Sequence, residues 1–372
     1  MANTLTKRVS LIELFYDLVF VYMVSQATGL IHHLHHGVIN LTTLGIFFLV
    51  IIVFINSWMV QMVFTNRYGQ SSWTNIVFSF IDMTIVLYMS NAFTATFDQN
   101  LATFFIAAGL LSLTLCLQYL ITYFQVKKEV DKKIAAAFTR ILGFRTVTLL
   151  IGGLFYNPFG ISIALVGIII SWIAPGFTGK YTHQHPIIFS HILERLTALI
   201  IVMFGETIVG IASYFTQSSL SSLSWPSILI FTVVVGLFFT YIVEFDHLID
   251  EHRAKETGNL LIYLHYFILF GLSLVTVALK FISEPEANHI FAITFLYGGI
   301  TLFYLGLAIA NYYNKTHLKV NSVVKTIFVF STLAGYLCSF KIYDFGWLTF
   351  VVAIVVLINA VTLVRFLTKR MN

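Results

Sequence analysis

Long apolar runs broken by short polar loops recur along the whole chain. A membrane-spanning helix needs about 20 mainly apolar residues. Windows of that size fall near 9–31, 41–65, 74–96, 101–125, 136–155, 159–178, 188–214, 226–249, 259–281, 288–313, 321–340 and 346–367. They predict an all-α polytopic membrane helix bundle of about 12 transmembrane helices, one integral membrane domain over 1–372. Pro158, Pro175, Pro186, Pro226 and Pro285 all fall at proposed ends or loops, where a missing N–H costs little. Trp73, Trp172, Trp225 and Trp347 also sit near proposed ends, as an aromatic belt requires.

The first window breaks its own apolar pattern. Glu13 and Asp17 are four residues apart, so both project from one helix face. An ionised acid within a span costs roughly 2.5–3.5 kcal/mol on insertion scales, so the two need partners, water or protons. They also interrupt what Lys7, Arg8 and the following run would otherwise offer as a signal peptide. No small-x-small cleavage site follows, and the segment reads as a retained first span.

Composition changes the picture only by exclusion. The chain is 58% hydrophobic and 10% charged, where globular chains carry about 25% charged residues. No polar stretch is long enough for a large soluble catalytic or nucleic-acid-binding domain. The net charge of +5 is accounted for by loop topology and not by nucleic acid. Lys7, Arg8, Arg67, Lys127, Lys128, Lys132, Lys133, Lys180, Arg253, Lys255, Lys315, Lys319, Arg365, Lys369 and Arg370 fall on one side, and Lys280 and Lys341 on the other. Both termini are therefore expected in the cytoplasm. Cys116 and Cys338 lie in apolar runs and read as small core residues, not as a disulfide framework. Shifting the chain by half its length lays Glu13 through Gly29 over Glu194 through Gly210. This suggests a parallel 6+6 repeat with halves 1–185 and 186–372.

The chemistry sits in charged residues inside the windows. Six acids (Glu13, Asp17, Asp82, Glu194, Glu206 and Glu244) face two arginines, Arg145 and Arg195. Pairing neutralises only some of the acids, so the others must be hydrated, protonated or cation-bound. Counting depth at about 1.5 Å per residue puts Glu13, Glu194 and Glu244 in the inner third. Asp17, Asp82, Arg145, Arg195 and His265 fall nearer the middle, and Glu206 beyond it. Arg195 and Glu206 are close to a whole number of turns apart on one face of the seventh span, with His191 one turn from Arg195. Two readings follow: a polar track that carries protons or a cation, with Arg195 pairing with Glu194 or Glu206, or structural charge pairs that lock the bundle. For metal, His32, His33, His35 and His36 in the first outer loop are candidates, as are His247 and Glu251 at helical spacing. In both places a solvated polar segment is the stronger reading.

The stretch Val9-Ser10-x-x-Glu13-Leu14-Phe15-Tyr16-Asp17-Leu18-Val19-Phe20-Val21 resembles the opening signature of the low temperature requirement A family of bacterial membrane proteins. Phe189-Ser190-His191-Ile192-Leu193-Glu194-Arg195, followed by Phe204-Gly205-Glu206-Thr207-Ile208, is similar to that family's second signature. The family's usual Glu-Arg-Phe-Gly reads Glu194-Arg195-Leu196-Thr197 here. The resemblance spans essentially the whole chain and implies a multi-pass protein of the bacterial plasma membrane. It also singles out Glu13, Asp17, His191, Glu194, Arg195 and Glu206, and carries no settled biochemical activity.

The favoured expectation is a proton-coupled transporter of a small solute or cation, embedded in the lipid bilayer, with Asp17 and Glu206 as protonation sites. The alternative is a membrane-embedded lipid-binding or lipid-modifying protein of cold adaptation. No phosphate loop, nucleophile elbow, zincin helix, haem-attachment motif or desaturase-like histidine box occurs, so an enzyme is less favoured. No cofactor is specified, and a homo-oligomer is left open.

Overall fold

The computed structural model describes residues 7–69, 72–92, 97–215 and 225–371. Its helices are α1 Leu11–Gly29, α2 Leu41–Tyr68, α3 Trp73–Ser90, α4 Phe97–Gln125, α5 Glu129–Leu154 and α6 Pro158–Ile173. They continue with the short α7 Gly179–Thr182, α8 Phe189–Ile211, α9 Trp225–Ile242, α10 Asn259–Phe281, α11 His289–Ala310, α12 Ser322–Ser339 and α13 Phe345–Met371. Among the described residues there is no β-strand, and 12 helical stretches are long and apolar enough to cross a membrane. The expected bundle is therefore present, without confirmation of a 6+6 repeat.

Helix ends follow local chemistry. Ser10 caps α1 in a capping box, its hydroxyl accepting from the Glu13 N–H while the Glu13 carboxylate accepts from the Ser10 N–H. Asn157 caps α6 with Pro158 just inside, and Ser72, Asn288 and Asn321 cap α3, α11 and α12. Where boundaries differ from the apolar windows, polar residues decide. The helix expected from 136 begins at Glu129, because Glu129 and Asp131 in the first turn suit the positive end of the helix dipole. The span expected over 159–178 leaves α-helix at Ile173, and Pro175 lies in a 3-10 stretch, Ala174–Thr178. After α9 the chain widens into a π-helical turn, Val243–Leu248. The end of the window at 74–96 lies partly outside the described residues.

The chain divides into two compact units. Unit 1 comprises Met1–Ile31, Leu41–Ala198 and His252–Leu260, and unit 2 comprises His32–Asn40, Leu199–Glu251 and Leu261–Asn372. Within unit 1, Tyr119 of α4 stacks on Phe138 of α5 with ring centroids 4.9 Å apart, and Phe64 of α2 meets Tyr119 edge-on. Close approach in unit 1 depends on small residues: a Cβ at Gly152 of α5 would lie 2.9 Å from the Gly160 carbonyl of α6. Within unit 2, α10 and α11 cross at Gly271 and Gly299. A Cβ on Gly299 would meet the Gly271 carbonyl oxygen at 2.8 Å, and one on Gly271 would meet the Gly299 carbonyl at 2.7 Å. Cys116 is buried as expected, but Cys338 is exposed. It lies on α12, where Val329, Phe330, Leu333 and Leu337 are also exposed, so this apolar run is a lipid-facing surface and not a core.

Adjacent glycines make the α10–α11 crossing testable. Gly299→Ala is expected to cost about 1–3 kcal/mol through overpacking, lowering the melting temperature of the detergent-solubilised protein. Gly298→Ala, whose Cβ meets nothing within 4 Å, should be neutral or slightly stabilising.

Candidate functional site

The α1 signature and the first half of α8 meet in unit 1. Glu13, Tyr16 and Asp17 form the buried stripe of α1, while Leu14, Phe15 and Leu18 are exposed. On α8, His191 and Arg195 are also one turn apart, and both are fully buried. These two polar faces come together. Arg195 Nη2 donates to Asp17 Oδ1, and Nη1 lies 3.5 Å from Glu13 Oε1. Nη1 also donates to Thr65 Oγ1 of α2 at 3.3 Å. The guanidinium carbon lies 5.2 Å from the Trp58 ring centroid, a cation–π distance. Trp58 Nε1 donates to the same Asp17 oxygen at 2.7 Å. Asp17 therefore receives both an arginine and an indole, and one cation serves two carboxylates.

Glu13 divides its two oxygens. Oε2 accepts from the Ser10 N–H and hydroxyl, both at 2.9 Å, and so completes the α1 cap. Oε1 turns inward to Arg195 and lies 3.4 Å from His191 Nε2. The histidine tautomer follows from Asn66 of α2. Its Oδ1 accepts from the Ile188 N–H at 3.0 Å and its Nδ2 donates to the Ile188 carbonyl at 2.9 Å, which fixes the amide orientation. The same Nδ2 is 3.1 Å from His191 Nδ1, which must then accept. The ring proton sits on Nε2, facing Glu13. Lys7 donates to the Thr65 and Gly69 carbonyls at the end of α2. Burial pushes its ammonium below its ordinary value, with Glu13 opposing and Arg195 adding to the effect.

Asp82 stands apart in the same unit. It is fully buried on α3, its Oδ1 in contact with the Thr114 hydroxyl and its Oδ2 accepting from Gln118 Nε2 at 3.4 Å, both from α4. Tyr16, buried on α1, lies within electrostatic range of Asp82, Asp17 and Arg195 alike. Arg145 of α5 is fully buried and donates to the Val53 carbonyl and the Ser57 hydroxyl of α2, at 3.0 and 2.9 Å.

The remaining expected residues separate from this cluster. Glu194 is exposed: it follows Leu193 round the helix while its neighbour Arg195 turns inward. The expected pairing of Arg195 with Glu194 gives way to pairing with Asp17 and Glu13, because α1 presents two acids to the face that Arg195 occupies. Glu206, half-buried, belongs to unit 2, as do Glu244 and His265. His265 donates through Nδ1 to the Leu261 carbonyl at 2.6 Å, and its Nε2 faces the Tyr241 hydroxyl at 3.3 Å. Among the described residues no three His, Cys, Asp or Glu side chains gather as a metal site. His33, His35 and His36 are exposed and His32 half-buried, in a loop that turns through His36 at φ 52°. The helical spacing assumed for His247 and Glu251 is broken, since the π-helical turn stops at Leu248 and His247 pairs with Asp246 instead.

The contribution of α2 was not expected from the sequence. Its signal is present in retrospect: Asn56, Ser57, Gln61 and Asn66 are polar and buried in an otherwise apolar helix. Trp58 also lies mid-helix, unlike the four tryptophans near span ends.

With 12 membrane-length apolar helices among the described residues, the chain is a polytopic membrane protein, and a buried acid–arginine–histidine cluster joins α1 to α8. The family model described as bacterial low temperature requirement A protein (LtrA) matches residues 8–360. The chain belongs to that family, whose matched region takes in both signature helices. No curated protein and no solved structure matches the chain.

The shared cation gives an unequal pair of mutational outcomes. Arg195→Met, leaving two acids buried without their cation, is expected to destabilise by about 3–5 kcal/mol. Adding Asp17→Asn to it should recover part of that loss, as a double-mutant cycle in thermal unfolding would show. Additive losses would mean that the two side chains do not interact.

Proposed function

We propose that this protein is a proton-coupled carrier of a small solute or cation, with the α1–α2–α8 cluster and Asp82 as its proton-handling groups. The observation that carries the reading is an excess of buried acid over buried cation. Glu13 and Asp17 share Arg195, His191 accepts from Asn66 through Nδ1, and Asp82 has only hydroxyl and amide neighbours among its hydrogen-bond partners. Neutral donors do not balance a carboxylate charge in an apolar surround, whereas a proton or small cation does.

Hydrogen-bond capacity favours the proton at Asp82. Thr114 has one hydroxyl proton and two acceptors in reach, Asp82 Oδ1 and the Leu111 carbonyl at 2.7 Å. A protonated Asp82 donating to Thr114, with Thr114 donating to Leu111, satisfies all three groups. Tyr16 provides a hydroxyl-bearing side chain in the electrostatic neighbourhood of both acids. A proton reaching Asp17 would release its hold on Arg195 and leave the guanidinium to Glu13, which the capping box keeps in place. The two carboxylates of α1 thus supply two alternative partners for one arginine, and exchanging them is the coupling step of this reading. The loop charge asymmetry supports a cytoplasmic position for both termini, with the α1 capping box near that face.

The direct test is proton flux in proteoliposomes under an imposed potential, read by an internal pH dye. Wild type should carry protein-dependent flux, and Asp82→Asn should lower it at least about tenfold, a barrier change of roughly 1.4 kcal/mol, without loss of the folded state. Wild-type flux equal to empty vesicles, or flux untouched by both Asp82→Asn and Glu13→Gln, overturns the reading.

A further inference from the structure

Unit 2 contains a cavity of about 550 Å³ between α11 and α12, closed at one end by Glu244 of the π-helical turn and Lys325 of α12. That volume is in the range of small-molecule sites, roughly 300–1,000 Å³. Leu305 of α11 and Val329 and Leu333 of α12 line it and are 43%, 68% and 52% exposed. The cavity is therefore a groove open sideways from the middle of two membrane-length helices, where acyl chains lie.

Polar groups point into this apolar groove. Glu244 is only 2% exposed, and its Oε1 has no hydrogen-bond partner. Thr332, deeper along α12, is 8% exposed, and its Oγ1 is also without a partner. Lys325 lies in the first turn of α12, exposed and close enough to act electrostatically on Glu244. A buried carboxylate oxygen without a donor in a membrane span is costly to keep and marks a place where something binds. The groove belongs to unit 2 alone and is independent of the proton-handling cluster.

We infer that this groove binds a zwitterionic phospholipid, one acyl chain lying between α11 and α12, its ammonium on Glu244 and its phosphate on Lys325. The pairing of a buried acid with an exposed lysine at one end of an apolar groove matches a head group that carries both signs. An anionic lipid would satisfy Lys325 and bring no cation to Glu244, which already has a neutral donor in Asn314, and a fatty acid would set its carboxylate against Glu244. A polar solute would leave the apolar walls without a counterpart. The head group would then lie at the end of unit 2 where α9 and α11 finish and α12 starts.

Gly298 offers a clean block, since it lines the groove and a Cβ there meets nothing within 4 Å. The full chain is reconstituted in vesicles of mixed phosphatidylethanolamine and phosphatidylglycerol, doped with one lipid or the other carrying a photoactivatable acyl chain. Cross-linked peptides are mapped by mass spectrometry. The phosphatidylethanolamine probe should label α11 and α12 about tenfold more than the phosphatidylglycerol probe, and Glu244→Gln should bring the two to parity. Gly298→Trp should remove the excess of phosphatidylethanolamine over phosphatidylglycerol labelling at these helices, with the melting temperature retained. Equal labelling of wild type by the two probes, or a phosphatidylethanolamine excess that survives Gly298→Trp, overturns the proposal.

Discussion

A fully buried arginine sets the terms for unit 1. The Arg195 guanidinium has no exposure, and an isolated charge in that setting would cost several kcal/mol. Its surroundings answer that cost from three directions: two acids of α1, and a hydroxyl and an indole face of α2. Each of these must be in register for the others to work. The one-turn spacing of Glu13 and Asp17 matches the one-turn spacing of His191 and Arg195, so both pairs engage where α1 meets α8. Asn66 adds a second constraint, tying α2 to the backbone at Ile188 just ahead of α8 while it sets the tautomer of His191.

The same arrangement leaves a charge imbalance that packing alone does not require. A structural lock would be best served by one acid for one base. Here a single arginine meets two acids, and a third acid, Asp82, is buried beside a threonine and a glutamine. Glu13 is fixed by its role in the cap of α1, and Asp17 takes the direct contact from Arg195. The division of labour rests on one residue serving both the helix end and the site.

Much of this was legible in the residues. Apolar length gave the spans, and i, i+4 spacing placed Glu13 with Asp17 and His191 with Arg195 on their faces. What a helical period cannot give is the partner on another helix. The pairing of Arg195 with α1 in place of Glu194 is a tertiary fact, as are the roles of Trp58 and Asn66 from a helix that reads as a plain apolar span. Local departures from α-geometry hid others: the π-helical turn at Val243–Leu248 undid the spacing of His247 and Glu251, and turned Glu244 toward the groove. Cys338 misled because an apolar run looks alike whether it faces a core or lipid.

Membership of the low temperature requirement A family extends over residues 8–360 and so over both units. The central claim is that the buried acids of unit 1 outnumber their cations, so that one of them carries a proton at rest. Infrared spectroscopy of hydrated films of the reconstituted protein at neutral pH addresses it directly, through the carbonyl stretch of a protonated carboxyl. The account predicts such a band in wild type, shifted by labelling aspartate with carbon-13 and lost in Asp82→Asn. A wild-type spectrum without that band, or a band that persists unchanged in Asp82→Asn, would contradict it.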